Sequence, residues 1–335
     1  MRSRRLVLAV GCGSAVGLCV AIGALGSVAE SAAITPEPTA LALLGAPSSA
    51  FANVAAAAGW TAWSDLKDGH YVLELRSPAG VVSSPAAVAP SGFPFRVALG
   101  KRSSGKIEAA YDVCPGGGGA GIGPGCRIML LDIAAGTVRR VRLAPHTSSA
   151  ALPALSGDTL AFIALPNRRA GKTSARVMTM GLAGGAAHTR WTRKLADGGP
   201  LQVAIDGKAV AAMWTQNHGR QQRVDAQPAP HAKVLKLADG GGDESCCEFS
   251  DLESLAFTSP KLLSLLEVGG DDQGNRYWDI FRLALIKDAK AVIGPADSDT
   301  GDDALTATSL ASDGTRDVVL AGDATHPFGV YAFTP

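Results

Sequence analysis

The chain lacks most of the local signatures that mark an enzyme or a nucleic-acid binder. None of its six histidines (His70, His146, His188, His218, His231, His326) stands in an HExxH pattern, which excludes the helix-borne zinc hydrolases. Beyond the first 33 residues there is no GxSxG elbow, so the α/β-hydrolase nucleophile is excluded as well. Aromatic residues are only 5% of the chain and are not interleaved with the basic ones, which argues against nucleic acid as a partner. Few stretches after the N-terminus carry an apolar stripe at helical spacing, which points away from helical and α/β classes. No catalytic residue is assigned.

The N-terminus supplies a compartment. Arg2, Arg4 and Arg5 precede an uncharged stretch from Leu6 to Ala29, and small residues follow at 29–33, where cleavage after Ser31 or Ala33 would leave a mature chain. Residues 1–33 therefore read as an export signal peptide. Ser3-Arg4-Arg5-Leu6-Val7-Leu8 resembles a twin-arginine signal but departs from it at Val7, so the twin-arginine and general secretory routes both stay open. The same stretch is long enough to serve as an uncleaved membrane anchor. With cleavage, the protein is extracytoplasmic, secreted or envelope-associated, and not integral to a membrane.

Export makes the cysteines informative. The tract CPGGGGAGIGPGC, residues 114–126, places seven glycines between Cys114 and Cys126. Gly116, Gly118 and Gly121 satisfy GxGxxG, but a phosphate-binding loop needs a helix to follow, and Arg127–Leu131 is a short apolar run with strand character. The tract instead reads as two strands, 107–113 and 128–131, joined by a long loop and stapled at its base by a Cys114–Cys126 disulfide. Closing a loop of this size is worth about 3 kcal/mol in the chain-entropy picture. The loop itself is expected to be mobile and empty of phosphate, with a structural role. Cys246 and Cys247 are left either as a vicinal disulfide, as two thiols, or in another pairing.

Forty glycines and nineteen prolines are spread along the whole chain. An internal repeat accompanies them. Trp63, Tyr111, Phe162, Trp214, Leu266 and Leu320 each sit in a short apolar run, at steps of 48, 51, 52, 52 and 54 residues. A turn precedes each run, at Gly59, Gly105-Lys106, Gly157-Asp158, Gly207-Lys208, Pro260-Lys261 and Gly314-Thr315. Six repeats of about 50 residues with three or four short strands each predict an all-β, six-bladed β-propeller over 51–335 with antiparallel blades, in preference to a sandwich of hairpins. Within the fifth repeat, 251–257 reads as a short helix, because Ser250 and Glu253 have capping-box spacing. The sixth repeat ends right after its second strand, so residues 34–50 are expected to close the last blade, with 39–44 lying beside it.

Leu155-Ser156-Gly157-Asp158-Thr159-Leu160-Ala161-Phe162, Ile205-Asp206-Gly207-Lys208-Ala209-Val210-Ala211 and Ser312-Asp313-Gly314-Thr315 resemble the SPDGxxLAF turn-and-strand of TolB-like six-bladed propellers, without its proline. The resemblance implies extracytoplasmic binding or scaffolding and brings no catalytic residue. The α/β domain that precedes the propeller in TolB is not expected here, so that protein's lipoprotein partner is not carried over.

Charge is near balance overall but divided along the chain. Residues 95–235 hold 19 basic and 7 acidic residues, net +12, and residues 236–335 hold 7 and 18, net −11. A basic flank suits a protein or an anionic envelope polymer. The candidate calcium ligands are Asp271, Asp272, Asp297, Asp299, Asp302 and Asp303, although they fail the helical-loop calcium pattern and an exposed loop explains them equally well. The expected role is a non-catalytic binding or scaffold module of the cell envelope. The alternative is a secreted propeller hydrolase or lyase with a site in the central channel, since propeller enzymes gather residues from separate blades.

Overall fold

The landmark runs are unbroken and apolar because each of these strands is buried on both faces. In Ala209–Gln216, Val210, Ala212 and Trp214 face one neighbouring sheet, while Ala209, Ala211 and Met213 face the other. A ring of sheets supplies a partner on both sides.

The computed structural model describes residues 42–48, 53–115, 122, 124–143, 147–166, 174–195, 198–216, 220–240, 249–270, 276–285, 292–293, 306–322 and 328–333. All belong to one compact unit, Pro36–Pro335; the other unit, Met1–Thr35, lies outside them. Among the described residues there is no helix, and the strands form six four-stranded antiparallel sheets, the blades of a β-propeller. The chain opens with β1 (Ala42–Gly45). Blade one is β2 (Val54–Ala57), β3 (Trp60–Lys67), β4 (His70–Arg76) and β5 (Val82–Ser83). Blade two is β6 (Val97–Lys101), β7 (Ile107–Val113), β8 (Arg127–Asp132) and β9 (Thr137–Arg140). Blade three is β10 (Thr147–Ser156), β11 (Thr159–Pro166), β12 (Ser174–Gly181) and β13 (His188–Lys194). Blade four is β14 (Pro200–Asp206), β15 (Ala209–Gln216), β16 (Gln221–Gln227) and β17 (Leu235–Gly240). Blade five is β18 (Phe249–Ser259), β19 (Leu262–Gly270), β20 (Arg276–Ala284) and β21 (Val292–Ile293). Blade six takes β22 (Thr306–Ser312), β23 (Asp317–Gly322) and β24 (Gly329–Phe333), and its fourth strand is β1.

The core is six clusters, one at each junction between blades. Phe95 and Tyr111 of blade two, ring centroids 5.4 Å apart in an edge-to-face pair, pack against Leu73 and Leu75 of blade one. Burial pushes the Tyr111 phenol up to about 12. Trp214 packs across from Ile163 and Val177.

Two sequence expectations meet the structure differently at blade five. Residues 251–257 are not a helix but lie within the eleven-residue strand β18. The capping-box spacing of Ser250 and Glu253 is overridden by tertiary packing: Leu252, Leu255 and Phe257 fill the junction with blade four, and Ala256 that with blade six. The apolar run around the repeat landmark Leu266 is the strand β19, in step with the repeat.

β1 pairs antiparallel with β24, Ala42 opposite Ala332 and Leu43 opposite Tyr331. Gly45 sits so close to the Trp63 ring that a Cβ there would approach within 2.8 Å of it. Ser48 then donates its N–H and its hydroxyl to Asp65, at 2.7 and 2.8 Å. Residues 42–48 thus run from blade six onto blade one.

Candidate functional site: the mouth of the central channel

The first strand of every blade borders a central channel of about 1140 Å³. Its walls are the edges of β2, β6, β10, β14, β18 and β22, and these strands are sewn to one another by side chains that accept from a neighbour's backbone. Val97 donates to Asn53 Oδ1 (2.8 Å), Leu152 to Asp112 Oδ2 (3.0 Å), Leu255 to Gln202 Oε1 (2.8 Å), Leu310 to Ser254 Oγ (2.9 Å) and Val54 to Ser309 Oγ (3.0 Å). The remaining junction, between blades three and four, is closed at the far end of the channel, where Gly207 N donates to Ser156 Oγ (2.9 Å). Arginines reinforce the seams farther out. Arg193 reaches across to Asp225 (2.7 Å) and lies over the Trp214 ring, 5.5 Å from its centroid, and Arg282 reaches across to Asp317 (3.2 Å).

The innermost strands share one irregularity. Near its start, each of β10, β14, β18 and β22 slips register against its neighbour, between Ala151 and Ala154, Pro200 and Gln202, Leu252 and Ser254, and Ala307 and Ser309. The extra residues are Leu152 with Pro153, Leu201, Glu253 and Thr308, and all of them line the channel. A bulge re-aims a side chain out of the ladder, and at Leu201, Glu253 and Thr308 it brings residues of blades four, five and six to one mouth of the channel, while Leu152 packs into the core between blades three and four. Leu152 holds a left-handed backbone, φ 56°, a strained conformation of the kind that clusters at functional sites. Tyr71, Phe93 and Pro94 join the wall.

Most ionisable groups on the channel wall are already engaged. Arg96 is paired with buried Asp112 (3.3 Å), whose carboxyl burial pushes up against the pull of Arg96 and of the Leu152 and Arg96 N–H groups. Asp206 accepts from Ser156 (3.3 Å) and is raised by burial. Asp313 is pushed up by burial but held below the ordinary carboxylate value by hydrogen bonds from Thr315 and Arg316. Glu253 has no hydrogen-bond or ion-pair partner among the described residues. It opens to the channel, and its carboxyl is raised by enclosure within the wall and by repulsion from Asp251. Asp251 accepts from Gln222 Nε2 (2.9 Å), and the other end of that buried amide, Gln222 Oε1, has no partner, nor has Thr308 Oγ1. A buried acceptor left unpaired costs about 1–3 kcal/mol.

Of the residues singled out from sequence, Cys114 and Cys126 are brought together: their sulfurs stand at disulfide distance, 2.08 Å, with Cα atoms 4.1 Å apart, at the base of the β7–β8 hairpin. The loop between them is not wholly free of packing, because Ile122 rests against the cluster that joins blades three and four, which also contains Cys126. Cys246 and Cys247, Asp271, Asp272, Asp297, Asp299, Asp302 and Asp303, and the segment 1–33 lie outside the described residues. Among the described residues no group of three or more His, Cys, Asp or Glu is placed to hold a metal ion, and no helix is long and apolar enough to cross a membrane. Sequence reasoning missed Leu152, Leu201, Gln222 and Thr308, and took Glu253 for a helix cap.

Fold and channel together define the class, a six-bladed β-propeller. No protein-family model matches the sequence, and no curated protein matches it. Among solved structures the chain is similar to TolB from Acinetobacter baumannii, with a TM-score of 0.46 and 16% identity over 82% of this chain and 64% of that one, just under two thirds of TolB's length. It is also similar to a gluconolactonase from Xanthomonas campestris, with a TM-score of 0.50 and 14% identity over 88% and 89% of the two chains. An oligogalacturonate lyase in complex with manganese matches with a TM-score of 0.48 and 14% identity over 82% and 71%. At these identities the likeness is one of fold, which serves both binding proteins and enzymes.

Proposed function

We propose that the protein is exported and acts as a non-catalytic binding or scaffold module of the cell envelope, with its ligand taken at the bulge-lined mouth of the channel. What carries the reading is the occupancy of the wall: Arg96, Asp206 and Asp313 are consumed in holding blades and turns, and among the described residues the charged groups of the wall left without a partner are Glu253 at this mouth and Lys101 at the opposite end. One carboxylate does not make the acid–base pair that hydrolysis of a glycosidic bond uses. The partner classes read from the charge division, a protein or an anionic envelope polymer at the basic flank, stand beside this site. The calcium candidates Asp271, Asp272, Asp297, Asp299, Asp302 and Asp303 have no part in this reading.

The raised carboxyl of Glu253 is the observation that favours the second reading, a secreted hydrolase or lyase, because a general acid–base needs such a shift. Two measurements decide. N-terminal sequencing of the protein from the exported fraction should begin at residue 32 or 34; Met1 retained in the membrane overturns cleavage. Turnover of ester, lactone or uronate-polymer substrates that Glu253→Gln abolishes would replace binding with catalysis.

A further inference from the structure

Resting on the reading of the mouth as a binding site, the side chains there also specify what it takes. Glu253 is the residue that the β18 bulge adds, and it lines the channel with no ion-pair partner among the described residues. Its closest charged neighbour along the strand, Asp251, has the same sign. Arg96 is committed to Asp112 and belongs to blade two, three blades around the ring from blade five. Lys101 lies at the opposite end of the channel, where β6 enters its turn.

Around Glu253 the neighbouring blades contribute acceptors rather than donors. Gln222 of blade four lines the channel and is only 7% exposed. Its Nε2 is tied to Asp251, which fixes the unpartnered Oε1 as the free end of the amide. From blade six, Thr308 brings an unpartnered hydroxyl at its own bulge. On blade four, the apolar bulge residue Leu201 lines the same channel as Gln222. A carboxylate and two orphan oxygens beside an apolar wall match a group with several N–H donors, a positive charge and a hydrocarbon attachment; an alkylammonium carries three such donors. Calcium demands six to eight oxygens, more than this set supplies.

We propose that the channel mouth binds an organic cation, an ammonium or guanidinium borne on an apolar group, with the nitrogen held by Glu253, Gln222 Oε1 and Thr308 Oγ1 and the apolar part against Leu201. The site is tripartite across blades four, five and six, and its selectivity comes from charge as well as shape.

The test uses the full mature chain and three probes of one size: 4-phenylbutylammonium, the neutral 4-phenylbutanol and the anionic 4-phenylbutanoate, each titrated by calorimetry and by amide chemical shifts. The ammonium should bind about tenfold or more tightly than the alcohol, and the carboxylate not at all. Glu253→Gln should remove that preference, Gln222→Met should reduce it, and Asp206→Asn at the far end should leave it unchanged; melting temperatures of all three variants check that each is folded. Comparing the free amine with an acetylated Phe-Lys amide distinguishes a small-molecule source of the cation from a protein side chain. Equal binding of ammonium and alcohol at the mouth overturns cation recognition but leaves the binding reading standing. Failure of every probe and of the peptide overturns both. Displacement of the ammonium by calcium at equal concentration would make the site a metal site instead.

Discussion

Blade two is completed by its own stretch of chain, whereas blade six borrows its outer strand from residues 42–45, more than 280 positions away in sequence. Blade two's one hazard is local: the β7–β8 hairpin spans a glycine-rich loop with no turn preference of its own, and the Cys114–Cys126 pair sits where the strands leave register control to the loop. The hazard in blade six is global. Without β1 the Gly329–Phe333 strand is an open edge, and the seam between blades six and one is left with its inner contacts, the Val54–Ser309 hydrogen bond and the packing of Trp63 near Leu320. A staple inside one hairpin and a strand that joins the first blade to the last should therefore differ in how much of the molecule depends on them.

The largest expected effect tests that difference. Deleting residues 34–48 removes the β1 pairing, the packing of Gly45 on Trp63 and the Ser48–Asp65 hydrogen bonds, and should cost about 5 kcal/mol or more in stability. Replacing both Cys114 and Cys126 with serine should cost about 3 kcal/mol. Gly329→Ala perturbs the same pairing more mildly, because a Cβ there would press on the Gly45 carbonyl at 3.0 Å while the exposed Leu43 methyl can swing aside. Denaturant unfolding gives the ranking; a deletion that costs less than the double serine would mean that the ring closes without β1.

The same contrast explains what could be read from the sequence. Repeat landmarks were legible because the second strand of each blade, such as Leu160–Phe162 or Val210–Trp214, is buried on both faces and shows as an apolar run. The channel-lining first strands were not. Val54-Ala55-Ala56-Ala57 is built of small residues that suit a crowded inner radius, and such a stretch carries no alternation. The bulges hid the site itself: one added residue per strand is invisible to a period near 50, and at Glu253 it produced a spacing that mimics a helix cap. Gln222 matters through an orphan oxygen, which only packing around it creates.

A smaller effect sharpens the contrast between the two blades through their buried carboxylates. Asp112 of blade two receives Arg96 and two backbone N–H groups, whereas fully buried Asp317 of blade six receives Arg282 on one oxygen and leaves the other unpartnered. Burial raises Asp317 above its ordinary value near 3.8 in spite of the pull of the Ser312 hydroxyl and of Arg282. The folded state then holds the proton more tightly than the unfolded chain, so this group's contribution to stability falls as pH rises from about 3.8 through the raised folded value. Asp317→Asn removes the titration. The stability of wild type relative to the asparagine variant should accordingly decline across that interval, as followed by urea unfolding at stepped pH. A relative stability that instead grows with pH would mean that the Arg282 pair outweighs burial.

The smallest effect concerns the glycine loop, and here the structure divides one segment into two. A flexible loop's closure entropy changes slowly with length, about 0.6 kcal/mol for each halving, so deleting residues 116–121 with both cysteines kept should be nearly neutral. Extending the deletion to 123 also removes Ile122, which packs against the cluster that contains Cys126, Ile163 and Trp214. Losing a partly buried isoleucine should cost about 1 kcal/mol, more than the loop entropy returns. The two deletions are separated by unfolding free energies measured side by side. If both prove neutral, Ile122 contributes nothing and the whole tract is spacer; if the shorter one already destabilises, the glycines themselves are engaged in the fold and the staple is not what holds this hairpin in register.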